Sequence, residues 1–296
     1  MLSRRGLLVG ACAVVAAGVA GAVGVEEGVL PGRLTVAKAM GRCDVDAPVP
    51  DVAPGPLERA TFRSAQRGRD VEWTLALPPG HPADGLPVAL VLHGRGDDDR
   101  TAFDTLGLHR FLAAHVAAGG PPFALAAASG GQGYWHPRAD GDDPLGMLVD
   151  ELLPRLRRHG LRTERVGALG WSMGGYGALL LARQSGRDAL GGSRVVAAAA
   201  ASPALFRSAA DTVAGAFDDA ADFARWGDLT HHPDVPAGTA LMVACGTDDP
   251  FADATRAYRA AVTPEPAGGL GRGCHTAGYW RSQAAAQIAF LGGQLT

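Results

Sequence analysis

The sequence runs to 296 residues, of which 47% are hydrophobic and 19% charged, with a net charge of −3. These figures exclude a disordered chain, and the near-neutral balance offers no polybasic surface for nucleic acid or anionic lipid. One α/β domain of roughly 200 to 250 residues accommodates most of the chain, and burial of roughly three quarters of the unfolded surface at this size means that the core needs no covalent staples.

Ser3-Arg4-Arg5-Gly6-Leu7-Leu8 has the form of a twin-arginine export signal, and the residues from Gly6 to Val25 are apolar without a charge. Ala20-Gly21-Ala22 offers a small-residue cleavage site. About 20 apolar residues also suffice to span a bilayer, so residues 1–25 are read as an export signal or a membrane anchor. Residues 26–58, with Pro31, Pro48, Pro50, Pro54 and Pro56, read as a surface arm or linker, and residues 59–296 as the catalytic domain.

Apolar runs predict strands at Ala60–Ser64, Val71–Leu77, Val88–Leu92, Phe123–Ala128, Val166–Leu169, Val195–Ala200 and Leu241–Ala244. Helices are predicted at Ala102–Ala118, Leu145–His159, Gly175–Gln184, Ala209–Trp226, Ala252–Val262 and Tyr279–Leu291. Leading strands followed by a βα series imply a mostly parallel sheet with helices on both faces. The alanine run Ala197–Ala201 is read as a tightly packed central strand.

Gly170-Trp171-Ser172-Met173-Gly174 has the form G-x-S-x-G and sits where a strand turns into a helix. Such a turn pushes the serine hydroxyl out above the sheet and requires an acid and then a histidine further along the chain. Ala240–Ala244 leads into Cys245-Gly246-Thr247-Asp248-Asp249-Pro250, and Asp249 is chosen as the acid over Asp248 because a residue before proline is biased to an extended conformation. The competing use of either aspartate is to cap the helix starting near Ala252. His275 is the only histidine C-terminal to Asp249, which makes it the base.

The strand Pro87–Leu92 runs into His93-Gly94-Arg95-Gly96. The amides of Met173 and Arg95 are assigned to the oxyanion hole. His93 is read as structural, tying this loop to its neighbours, and Asp97, Asp98 and Asp99 as solvated loop charges and a helix cap. Trp171 reads as packing. His231 and His232 lack partner ligands at metal spacing, so no metal site is expected.

Loss of a signal containing Cys12 would leave Cys43, Cys245 and Cys274, an odd number. A Cys245–Cys274 bridge is suggested because the triad brings the acid and histidine loops together, and Cys43–Cys274 is the competing pair.

These segments, with Ser129-Gly130-Gly131-Gln132-Gly133-Tyr134-Trp135-His136 and the Asp150-Glu151-Leu152-Leu153-Pro154 run behind it, resemble the esterase D group of α/β-hydrolases. That group includes S-formylglutathione hydrolases, feruloyl and acetyl xylan esterases, and antigen 85 mycolyltransferases. The resemblance covers roughly residues 71–294 and extends to Gly273-Cys274-His275 and Tyr279-Trp280-Arg281. It implies an α/β-hydrolase fold, and it places Trp135 and His136 near the catalytic mouth as substrate-binding candidates, with Trp135 packing the loop as the alternative.

The resulting expectation is an exported serine esterase that works through an acyl-enzyme without a cofactor, on a small-molecule, lipid or sugar ester. Acyl transfer to a sugar or lipid alcohol uses the same triad and is the chemical alternative; a non-catalytic cell-envelope protein on the same fold is the alternative from another class.

Overall fold

The computed structural model describes residues 33–185 and 190–296. The export signal or anchor at residues 1–25 lies outside the described residues. Eight strands form one sheet: β1 (Leu57–Ser64), β2 (Arg69–Ala76), β3 (Pro87–Leu92), β4 (Ala124–Ala128), β5 (Arg162–Trp171), β6 (Arg194–Ala201), β7 (Ala240–Gly246) and β8 (Ala267–Gly271). Their order is β1-β2-β4-β3-β5-β6-β7-β8. β2 pairs antiparallel with β1 and with β4, and every other pairing is parallel.

The strands lie on one sheet because their side chains supply two cores. Val88, Leu90 and Leu92 of β3 enter one, while Ala89 and Val91 enter the other. Such two-faced burial is why β3 reads as a continuous apolar run without alternation. The first core is covered by α4 (residues 144–158) and α5 (Met173–Gln184), through Leu152, Leu156, Leu179 and Leu180. The second is covered by α3 (Leu108–Ala117) and the C-terminal helix α8 (Ala277–Leu295), through Phe111, Leu112, Ile288 and Leu291. Between the two, β6 carries Ala198 and Ala200 on one face and Ala197, Ala199 and Ala201 on the other. Every residue of α5 is buried, so its thin alanine floor lets it sit close to the sheet.

The predicted helix Ala102–Ala118 is broken. The first helix, α1 (Arg33–Ala39), belongs to the N-terminal arm; a short turn, α2 (Thr101–Asp104), is separated from α3 by Gly107 at φ +70°, and a side chain there would also strike Val49 of that arm. Ala209–Trp226 does not form a helix either. A 3-10 turn at Ala209–Asp211 gives way to a strap, and helix resumes only over residues 220–227, α6, where Asp219 accepts from the Asp222 amide at 2.8 Å. In the strap, carbonyls that a helix would use internally are taken by arginines. Arg95 Nη2 donates to Ala214 O at 2.9 Å, and Arg138 Nη1 donates to Gly215 O at 3.1 Å and Ala216 O at 2.6 Å. The edge strand β8 escapes prediction because its sequence, AGGLG, contains a single large apolar residue. α7 (Ala252–Ala261) lies between β7 and β8 in the chain, and among the described residues no helix is long and apolar enough to cross a membrane.

Candidate active site

The C-terminal ends of the parallel strands converge on Ser172. Ser172 sits between β5 and α5 at φ 55°, ψ −123°, a conformation that costs a non-glycine residue on the order of 1–3 kcal/mol. The surroundings hold it there: its amide donates to Ala201 O at 3.0 Å, and its carbonyl accepts from the amides of Tyr176 at 3.1 Å and Ala204 at 2.9 Å. Gly174 is required two residues on, since a Cβ there would run into the carbonyls of Leu92 and His93. That close approach sets the start of α5 against the loop after β3.

His275 Nε2 lies 2.8 Å from Ser172 Oγ, and its Nδ1 lies 2.8 Å from Asp249 Oδ2. The three residues come from the ends of β5, β7 and β8, so the sheet supplies their spacing. The Asp249 side chain is fully buried, whereas the His275 side chain retains 21% of its exposure and Ser172 is half-buried. The Asp249 carboxylate is therefore shielded, while the Ser172 hydroxyl and the His275 imidazole retain access to solvent. Asp249 Oδ1 also accepts from the Phe251 amide at 2.9 Å, closing the turn ahead of α7, whose own N-cap, Phe251, makes no side-chain cap. Asp248 instead faces Arg42, whose Nη1 lies 3.4 Å from Asp248 Oδ1. Phe251 and Trp280 flank the imidazole edge-on at centroid distances of 5.3 and 5.1 Å.

Met173 is the first residue of α5, where an amide has no acceptor within the helix. Arg95 lies in the turn after β3, with its side chain on the strap and the neighbouring Gly96 amide donating to Gln132 Oε1 at 2.6 Å. His93 bridges this turn to the glycine-rich loop. The Gly130 amide donates to His93 Nε2 at 2.9 Å, which leaves Nδ1 as the protonated nitrogen, donating to Gly94 O at 2.7 Å. Burial holds the His93 pKa below its ordinary value, consistent with that neutral tautomer.

Trp135 and His136 lie elsewhere than expected. Both are buried, Trp135 at 1% exposure and His136 at 0%, so neither presents surface to a substrate. The Trp135 indole donates to His93 O at 3.3 Å, and its ring covers Gly130 and Gly177. His136 stacks on Phe217 at 5.0 Å, with Nδ1 2.9 Å from Pro137 O and Nε2 3.1 Å from Ala216 O. A neutral ring can donate to only one of those carbonyls, and burial pushes its pKa down. These two residues hold the strap and the loop.

The aspartate run also divides differently. Asp98 closes the turn ahead of α2, its Oδ1 accepting from the Arg100 and Thr101 amides at 3.0 and 3.1 Å, while Arg100 holds the N-cap position. Asp97 accepts from the Trp171 indole at 2.8 Å, and Asp99 is buried at 1% exposure between the hydroxyls of Thr74 at 2.6 Å and Ser129 at 2.8 Å. Asp97 and Gln132 therefore brace the turn that carries Arg95. The sequence places Asp97 among loop charges or a cap and gives Gln132 no role, although a polar residue inside a glycine-rich loop is a usable signal.

Cys43 pairs with Cys274, and the suggested Cys245–Cys274 bridge is absent. Cys245 is a buried free thiol, pushed up to about 12 by burial and the Asp249 charge, beside Thr255 and Ser202. It belongs to β7 itself, whereas Cys274 lies beyond β8, where the arm reaches it. His231 and His232 are exposed on one turn near Asp228, and no group of three His, Cys, Asp or Glu able to hold a metal ion occurs among the described residues.

No curated protein sequence matches the chain. Solved structures that share its fold include a ferulic acid esterase, at 17% identity and TM-score 0.68, covering 81% of this chain and 99% of that one. An S-formylglutathione hydrolase from Agrobacterium tumefaciens superposes with TM-score 0.68 at 14% identity, covering 85% and 100%. Mycobacterium tuberculosis MPT51 does so with TM-score 0.61 at 19% identity, covering 82% and 100%. The family model described as "Putative esterase" matches residues 64–267, more than half of the chain. On that match, and with an α/β-hydrolase sheet beneath it, the chain belongs to this esterase family.

Proposed function

We propose that the protein is an exported serine esterase in which Ser172, His275 and Asp249 form the catalytic triad. The observation that carries this reading is the unbroken hydrogen-bonded line from Ser172 Oγ through His275 to Asp249, 2.8 Å at each link. Ser172 Oγ attacks the ester carbonyl as His275 Nε2 takes its proton. The tetrahedral oxyanion is held by the amides of Met173 and Arg95. His275 then returns the proton to the departing alcohol, leaving an acyl-serine. Water, deprotonated by the same nitrogen, releases the acid and restores Ser172. Asp249 fixes the imidazole tautomer and stabilises the imidazolium. Nothing in this cycle calls for a cofactor.

Export is supported by the twin-arginine pattern at Arg4-Arg5 and by the Cys43–Cys274 disulfide, since such bonds persist in oxidising compartments. The test is hydrolysis of p-nitrophenyl esters, from acetate to laurate, by the full-length protein beside its Ser172→Ala variant. Turnover that falls roughly 10³-fold or more in the variant is expected, and the chain-length profile sizes the acyl pocket. Equal rates in the two proteins would remove Ser172 as nucleophile.

A further inference from the structure

The loops bearing the acid and the base differ in how firmly the sheet holds them. β7, which leads to Asp249, is buried along six of its seven residues. β8, which leads to His275, is an edge strand of sequence AGGLG with no buried residue. Glycine-rich strands lack side chains to pack and lose more entropy on ordering, so β8 alone is a weak foundation for a catalytic base.

Residues 41–46 of the N-terminal arm supply what β8 lacks. Arg272 Nη2 donates to Gly41 O at 2.6 Å. Arg42 pairs with Asp248, the neighbour of Asp249. Cys43 is bonded to Cys274, the neighbour of His275. Gly278 leaves room for Val45 O, and Arg281 Nη1 donates to both Asp46 oxygens at 2.9 Å. One six-residue segment thus grips the acid loop, the base loop and the start of the helix behind them, touching those two loops one residue from Asp249 and from His275.

We propose that this segment is a positioning element for catalysis: it sets His275 against Asp249 and Ser172, and breaking the disulfide loosens the triad while the domain stays folded. The inference rests on the triad reading above. The sheet and both cores are built without the arm's contacts at 41–46, so the effect falls on turnover.

The test compares the oxidised full-length protein, the same protein reduced with a phosphine, and the variants Cys43→Ala and Arg42→Gln. The readouts are kcat and KM on p-nitrophenyl butyrate, the rate of fluorophosphonate labelling, and circular dichroism. Reduction and Cys43→Ala are expected to lower kcat and labelling rate together by roughly tenfold or more, since misplacement of about 1 Å costs up to about 10²-fold. KM and the dichroism spectrum change little, and reoxidation of the reduced protein restores kcat. Arg42→Gln keeps the disulfide and the fold and is expected to lower kcat by a smaller factor. An active oxidised protein whose kcat and labelling survive reduction and Arg42→Gln would overturn the inference alone. An oxidised protein that neither turns over nor labels would overturn the triad reading, and this inference with it.

Discussion

Replacing Asp249 with asparagine isolates the role of the acid. The shape is unchanged, but the carboxylate becomes a group with one acceptor and one donor. The Phe251 amide, 2.9 Å from Asp249 Oδ1, can only donate, so it orients the carboxamide with oxygen toward Phe251 and NH₂ toward His275 Nδ1. His275 must then accept at Nδ1 and carry its proton on Nε2. That nitrogen donates to Ser172 Oγ and has no lone pair with which to take its proton. The flipped amide would restore the working tautomer but set NH₂ against the Phe251 N–H, leaving a buried donor unmet at a cost of roughly 1–3 kcal/mol. The expected loss in kcat is about 10⁴-fold, the size this substitution produces in serine protease triads. The assay is kcat on p-nitrophenyl butyrate, with thermal unfolding as a check that the fold survives. Asp248→Asn is the control, because its carboxylate faces Arg42 and not the imidazole, and its loss should be no more than a few-fold. A fall of less than about tenfold in Asp249→Asn, with the fold intact, would refute the tautomer argument.

Two further outcomes follow from packing and burial. Gly174→Ala drives a methyl into the Leu92 and His93 carbonyls, so the start of α5 must shift; thermal unfolding should fall markedly and activity with it, whereas Gly293→Ala, which meets nothing within 4 Å, should leave both unchanged. The rings of His93, His109 and His136 have pKa values held below the ordinary one chiefly by burial. The unfolded chain therefore takes up protons near pH 6.5 that the folded chain refuses, and stability falls as pH drops through that value by up to about 1.4 kcal/mol per pH unit for each of the buried rings His93 and His136, and by less for the part-exposed His109. Urea midpoints should decline from pH 7.5 to 5.5, and a flat or rising profile would contradict the neutral assignment.

The order of residues along the chain carried most of the site. A serine in a strand-to-helix turn, an acid after a later strand and a single remaining histidine are one-dimensional features, and the three residues so named are the three that meet in space. All seven expected strands exist; β3, β4 and β6 are buried on both faces along nearly their whole length, which leaves a plain composition signal, whereas β1 is mostly exposed. What was not legible depended on contacts between distant segments. The strap over residues 206–219 has helical composition, yet Arg95 and Arg138 claim its carbonyls from loops about 80 to 120 residues away. Trp135 and His136 look like mouth residues in a loop, but Tyr134 and Trp135 both adopt positive φ, at 55° and 58°, which turns the chain inward and buries them. For Cys274 the sequence suggests Cys245, with Cys43 as the competing partner, and the structure pairs it with Cys43. The choice fell to Cys43 because the arm crosses the histidine loop while Cys245 stays inside β7.

The central claim is that Ser172 is a nucleophile activated by His275. The most direct measurement is reaction of the full-length protein with a fluorophosphonate, followed by mass mapping of the adduct, beside Ser172→Ala and His275→Gln. One phosphonyl group per chain on Ser172, absent from Ser172→Ala and slowed by orders of magnitude in His275→Gln, is the predicted result. A folded protein that stays unlabelled, or that carries the adduct on another residue, would contradict it.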